Sequence, residues 1–149
     1  MSGPTHSQIA RVHQLMADYC VFVDTKKVSQ LVNLFHPEVT VDYGPQFKAK
    51  GREGLEILFT KFLASCESTS HHITNIATTL ESDVIIAKSY VSAWHQLPGQ
   101  SEPLIVHGRY LDTFAEYGSQ ILIMSRTLLM HGSTQLLPFN ILIRNSLSK

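Results

Sequence analysis

The chain has 149 residues, 44% of them apolar, enough for one continuous core and short for two, so a single domain spanning 1–149 is expected. Lys+Arg and Asp+Glu each number 12 with no run of either sign, which argues against nucleic acid as a partner. Cys20 and Cys66 lack CxxC or Cys/His ligand spacing and read as reduced thiols with no metal between them. The start, Met-Ser-Gly-Pro-Thr-His-Ser, is neither basic nor apolar, and no apolar run approaches the ~20 residues of a membrane span. A cytoplasmic protein without a membrane partner is expected.

Ser7 is positioned to cap a first helix in which Ile9, Val12, Met16, Tyr19 and Val23 recur at spacings of three and four, up to about Asp24. A shorter helix is expected from Val28 to Phe35, stopped by Pro37. Val39 to Tyr43 alternates like a strand, turns at Gly44-Pro45 and returns through Phe47 to Gly51. Leu55, Leu58, Phe59 and Phe62 mark a third amphipathic helix over Arg52–Ala64. Four β-rich segments then follow, His71–Leu80, Val84–Gln96, Leu104–Glu116 and Gln120–His131, as an antiparallel meander. Helices first and consecutive strands afterwards predict an α+β fold, a curved sheet wrapped on helices with a pocket between. The segment 134–149, apolar from Leu136 to Ile143, is expected to pack on its own domain or on a neighbouring subunit.

Eight histidines are many for this length, and each is able to exchange protons near neutral pH. On the strand that begins at His71, period two puts His71, Ile73 and Asn75 on one face and His72 and Thr74 on the other. Asp24 ends the first helix near the expected pocket mouth, just past Tyr19. A carboxylate that accepts from one imidazole nitrogen raises the basicity of the other, so Asp24 with His71 makes a candidate general base. Tyr19, Tyr43, His107 and Arg126 are candidates to polarise an oxygen, and Phe22, Phe59, Phe62, Trp94 and Phe114 to form apolar walls. Each has a plainer alternative: helix-end Asp residues are commonly solvated caps, buried tyrosines commonly satisfied core, and arginines commonly ion-paired.

Tyr19-x4-Asp24, Leu34-Phe35-His-Pro37, Val41-Asp-Tyr43, Gly51-Arg-Glu53, Ser68-Thr-Ser-His-His-Ile-Thr-Asn75 and Gly108-Arg-Tyr-Leu-Asp112, in that order, resemble the SnoaL-like, scytalone dehydratase-like branch of the nuclear transport factor 2 superfamily. The resemblance covers about residues 8–130. It implies the superfamily's cone: N-terminal helices on a strongly curved antiparallel sheet around an internal pocket. It carries the catalytic Asp and His of relatives to Asp24 and His71, phenols to Tyr19 and Tyr43, a second pocket His to His107, and an active-site Arg to Arg126. Asn75 joins the expected substrate contacts. The implied function is a lyase or isomerase that needs no cofactor and acts on a small hydrophobic polycyclic metabolite in secondary metabolism, as a homodimer or homotrimer. Polyketide or terpenoid cyclisation, and a non-catalytic binding module, remain alternatives. Epoxide opening would need a second carboxylate, for which Asp112 is the one candidate.

Overall fold

Thr5 caps the first helix. Its hydroxyl accepts from the Gln8 backbone N–H and the Gln8 side chain accepts from the Thr5 N–H, a reciprocal box that starts the helix ahead of the expected Ser7. The structure, a computed structural model, describes residues 3–135. Helix α1 (His6–Asp24) buries Val12, Leu15, Met16, Tyr19 and Val23 along one stripe. Helix α2 (Val28–Val32) is shorter than expected because Phe35 already begins strand β1 (Phe35–Asp42). Pro37 therefore lies in a strand instead of stopping a helix. The β1 register shifts between Phe35 and Thr40, so the missing N–H falls where no pairing is broken.

Strand β2 (Lys48–Lys50) completes the hairpin and leads into α3 (Gly51–Ala64), which buries Leu55, Phe59 and Leu63. Strands β3 (Ser68–Glu81), β4 (Val84–Gln96), β5 (Leu104–Tyr117) and β6 (Gln120–Ser133) form the expected meander. One six-stranded sheet results, in the order β2-β1-β6-β5-β4-β3, antiparallel except where β1 runs parallel to β6. The sheet is curved and unclosed, with the helices against its concave face. Register shifts at Thr74/Ala77, His107/Gly108 and Thr113/Phe114 supply bends, since a bulge adds a residue to one strand and tightens the local twist.

Gly108 stands at one such bend, where a Cβ would meet the Leu129 carbonyl oxygen at 2.6 Å. Only glycine allows β5 and β6 to approach so closely there. The cysteines are free, Cys66 buried and Cys20 half-buried. Among the described residues no helix is long and apolar enough to cross a membrane. The expected packing of the tail concerns residues beyond Gln135, outside the described ones.

Candidate active site

Asp24 is the last residue of α1, and α1 packs across the start of β3. Its carboxylate accepts three hydrogen bonds from that strand: from the Thr69 hydroxyl at 2.8 Å, the His71 backbone N–H at 2.9 Å and His71 Nδ1 at 2.7 Å. An ionised carboxylate only accepts, so Nδ1 carries the proton and His71 Nε2 presents a lone pair. Burial alone would raise the Asp24 carboxyl, but the hydrogen bonds from His71 and Thr69 outweigh it and hold it below the ordinary carboxylate value. Strand alternation decides between the adjacent histidines: His71 is 7% exposed, whereas His72 faces solvent.

The His71 ring stands edge-on to Tyr19 and to His95, with centroids 6.3 and 5.3 Å away. Both neighbours line a cavity of about 350 Å³ between α1, α3 and the concave sheet. Phe59 and Phe62 of α3 form one wall; Val91, Ala93, Val106 and Leu128 form the floor, and Tyr43 and Tyr110 converge beside Tyr19. Rings of Tyr19 and Tyr43 each lie 6.2 Å from Tyr110. The Tyr43 hydroxyl is buried, with the Tyr19 hydroxyl as its polar neighbour.

Of the strand neighbours Trp94 and His95 at most one can face the pocket; the sequence favours Trp94, and the structure turns in His95. It follows Val91 and Ala93 on the inward face of β4 and pairs with Thr69, one step diagonal from His71. Its Nδ1 lies 3.2 Å from the Leu104 carbonyl, which only accepts, so Nε2 is the unprotonated nitrogen. Burial first, and then the neighbouring His71, bring its pKa down to about 4 against a weaker opposing effect of the Leu104 carbonyl. At neutral pH His95 is therefore an acceptor.

Tyr19, Tyr43, Phe59 and Phe62 line this cavity, and the Asp24–His71 pair stands behind Tyr19 and His95, beside the lining and not in it; the six other expected residues do not line it either. His107 is exposed on the outer face of β5, because Leu104, Val106, Gly108 and Tyr110 take the inner one. Asn75 is exposed at a φ of 53°, where the Thr74/Ala77 bulge interrupts the alternation that would have turned it inward. Trp94 sits half-buried on the face opposite its neighbour His95. Phe114 is buried but packs in the core outside the cavity lining. On α1 the cavity face is taken by Tyr19 and Val23, one turn apart, leaving Phe22 half-buried against the core.

Arg126 is fully buried. Its Nε and Nη2 bond the Asp112 carboxylate at 2.7 and 2.9 Å, and its guanidinium lies 4.4 Å from the Tyr19 ring centroid and 4.0 Å from that of Tyr110. It stands behind the cavity wall instead of in it. Like His95, Tyr110 is given no role by the sequence, where it stands only within Gly108-Arg-Tyr-Leu-Asp112. Its alternation with Leu104 and Val106 was the available signal, hidden by the more conspicuous His107 and Arg109 on the opposite face.

Residues 4–127 match the family model described as SnoaL-like domain. The chain belongs to this family. Its fold is the cone of the nuclear transport factor 2 superfamily. Among solved structures, this SnoaL-like domain is similar to a candidate scytalone dehydratase from Novosphingobium aromaticivorans, at 26% identity and a TM-score of 0.81, covering 86% of this chain and 87% of that one. A hexachlorocyclohexane dehydrochlorinase, LinA type 2, shares 17% identity at a TM-score of 0.79, covering 89% and 90%. ActVI-ORFA from Streptomyces coelicolor shares 18% at a TM-score of 0.73, covering 84% and 98%. No curated protein matches the chain.

Proposed function

We propose that the protein is a cofactor-independent lyase or isomerase that abstracts a proton from a compact hydrophobic metabolite. The observation that carries this reading is the Asp24–His71 pair, its Nδ1 hydrogen bond of 2.7 Å leaving Nε2 as a base beside an apolar cavity. In dehydration, Nε2 takes the carbon proton, the C–O bond breaks, and the protonated His71 returns that proton to the departing hydroxyl to release water. If no hydroxyl is present, return of the proton to another carbon shifts a double bond. Asp24 stabilises the imidazolium formed midway. His95 Nε2 accepts from a substrate hydroxyl, and Tyr19 and Tyr43 donate to a substrate oxygen.

The names of the dehydratase and dehydrochlorinase neighbours support elimination chemistry, and the cavity, at the small end of the ~300–1,000 Å³ typical of ligand sites, suits a molecule of a few fused rings. Cyclisation of a polyketide or terpenoid would use the same base. Epoxide opening loses its candidate carboxylate, because Asp112 is fully buried and bidentate to Arg126.

The test is a product profile by mass spectrometry. Purified protein, Asp24→Ala and His71→Ala are incubated with a metabolite extract of the host lacking this gene. Wild type is expected to convert one compound into a product lighter by water or of equal mass, while both folded variants fail. Equal behaviour of all three would leave a binding cavity with a structural dyad.

A further inference from the structure

We propose that Lys26 is a positioning residue for the Asp24–His71 pair: its ammonium ties the end of α1 to the turn that enters β3, and so keeps the proton on His71 Nδ1 and the lone pair on Nε2. The inference rests on His71 acting as the base proposed above, and adds a residue from outside the cavity to that machinery.

Lys26 occupies a place where lysine is a poor choice. Past its cap at Thr25, α1 ends through two backbone bonds, from the Lys26 N–H to the Val23 carbonyl at 3.2 Å and from the Lys27 N–H to the Phe22 carbonyl at 2.9 Å. This ending needs a left-handed residue just after the cap, commonly glycine, because a Cβ is strained there. Lys26 takes that conformation with a φ of 55°. Asn75, Ser82 and Asp83, the other described non-glycine residues of positive φ, lie at the β3 bulge or in the β3–β4 turn, and their short polar side chains suit the left-handed region better than lysine does. Strain of this kind collects at functional sites, where the surrounding structure holds it in place.

The side chain presented by this conformation has a partner. Lys26 Nζ donates to the Cys66 carbonyl at 2.5 Å. Cys66 directly follows Ser65, the cap of α3, and comes just before Ser68, the first residue of β3. Helix C-terminal ends carry partial negative charge, and α1 has no basic residue in its last turn, so the ammonium serves the ends of both helices.

Two side chains therefore join the same two segments. Asp24 takes its three bonds from Thr69 and His71, close beyond Cys66 in the chain. The start of β3 is held to β4 along its ladder, and the Glu67 N–H adds a bond to the Gln96 carbonyl at 2.8 Å. The adjustable part is the last turn of α1, which reaches this edge through Asp24 and Lys26. An imidazole tautomer follows the partner of its nitrogen. A retreat of the Asp24 carboxylate would let the proton move from Nδ1 to Nε2, and the base would be lost.

The test reads the His71 ring directly. Protein carrying isotope-labelled histidine is observed by two-bond proton–nitrogen NMR at mildly alkaline pH, the His71 signals being those missing from His71→Gln. Wild type is expected to show the Nδ1–H tautomer alone. Lys26→Met should bring up a second population protonated at Nε2, and product formation from the host metabolite extract should fall about tenfold, a small misplacement of a catalytic group being enough for that. Lys26→Arg, which keeps a cation of similar reach, should restore both. Lys26→Gly separates position from stability: it relieves the backbone and should melt above Lys26→Met, yet show the same mixed tautomers. Wild-type spectra from both Lys26→Met and Lys26→Gly would overturn the assignment. So would a loss in Lys26→Met that Lys26→Gly repairs, since the ammonium would then be dispensable. The spectrum needs no substrate, so it stands or falls apart from the proton-abstraction reading, which turnover by His71→Ala would sink on its own.

Discussion

His95 is held neutral because its surroundings offer a protonated imidazole little: it is 4% exposed, with His71 beside it. Unfolded, the group titrates near 6.5; folded, near about 4. Between those values the unfolded chain binds the extra proton, so His95's contribution is whole above 6.5, falls as pH drops, and levels off below about 4. Urea midpoints should reveal a loss of up to about 3 kcal/mol across that window. His95→Phe, compared at the same pH values, should flatten it. Asp24 follows the other pattern: its lowered carboxyl stabilises the fold above the ordinary value of 3.8 and loses this only below it. In kinetics, once the substrate is known, His71→Ala is expected to lower kcat/KM by about 10²–10⁴-fold.

Elements are placed by their ends and bends. The Thr5 box sets where α1 begins, and the length of α1 carries Asp24 to the first residues of β3. Thr5→Ala should lower stability by about 1 kcal/mol without moving the site, as a thermal melt will read. Gly108 is less forgiving. Its added Cβ meets backbone, the Leu129 carbonyl at 2.6 Å, and backbone yields only by opening β5 from β6. Gly108→Ala should cost about 1–3 kcal/mol, a fall in Tm of roughly 2–12 °C for a domain of this size. An unchanged melt would mean that the bulge at His107/Gly108 absorbs the methyl.

Across the whole molecule, the Asp112–Arg126 pair links β5 and β6 inside the core between α1 and the phenols, with both side chains fully buried. Removing one partner strands the other charge, so Asp112→Ala is expected to cost about 3–5 kcal/mol in urea unfolding. Asp112→Leu with Arg126→Met should recover most of that loss, because neither charge remains. The outer sheet face carries a different kind of surface. Tyr90, Leu111 and Leu129 are exposed on adjacent strands β4, β5 and β6, around Arg109, which pairs with Tyr90 and Leu129. A homodimer or homotrimer through this face is expected to appear as a multiple of the 16.7 kDa chain mass in light scattering, and Leu129→Lys to reduce it. A wild type of single-chain mass would set that assembly aside.

Hydrophobic periodicity determined the order of helices and strands, and with it the α+β class, because burial repeats at 3.6 residues in a helix and at two in a strand. It also brought Asp24 into view at the end of α1, whereas His71, which reads as the start of a strand, is the fourth residue of β3. Pro37 and Ser7 misled for a local reason: a register shift and an earlier cap overrode the simplest reading of each residue. Only the tertiary structure decided which strand face looks inward. Alternation leaves two phases, and a bulge such as that at Thr74/Ala77 changes phase midway, so Asn75 and His107 turn out while His95 and Tyr110 turn in. Arg126 likewise reads in sequence either as a cation for a substrate oxygen or as an ion-pair partner, and the choice is made by a carboxylate on the neighbouring strand and two rings from α1 and β5 that folding brings against it.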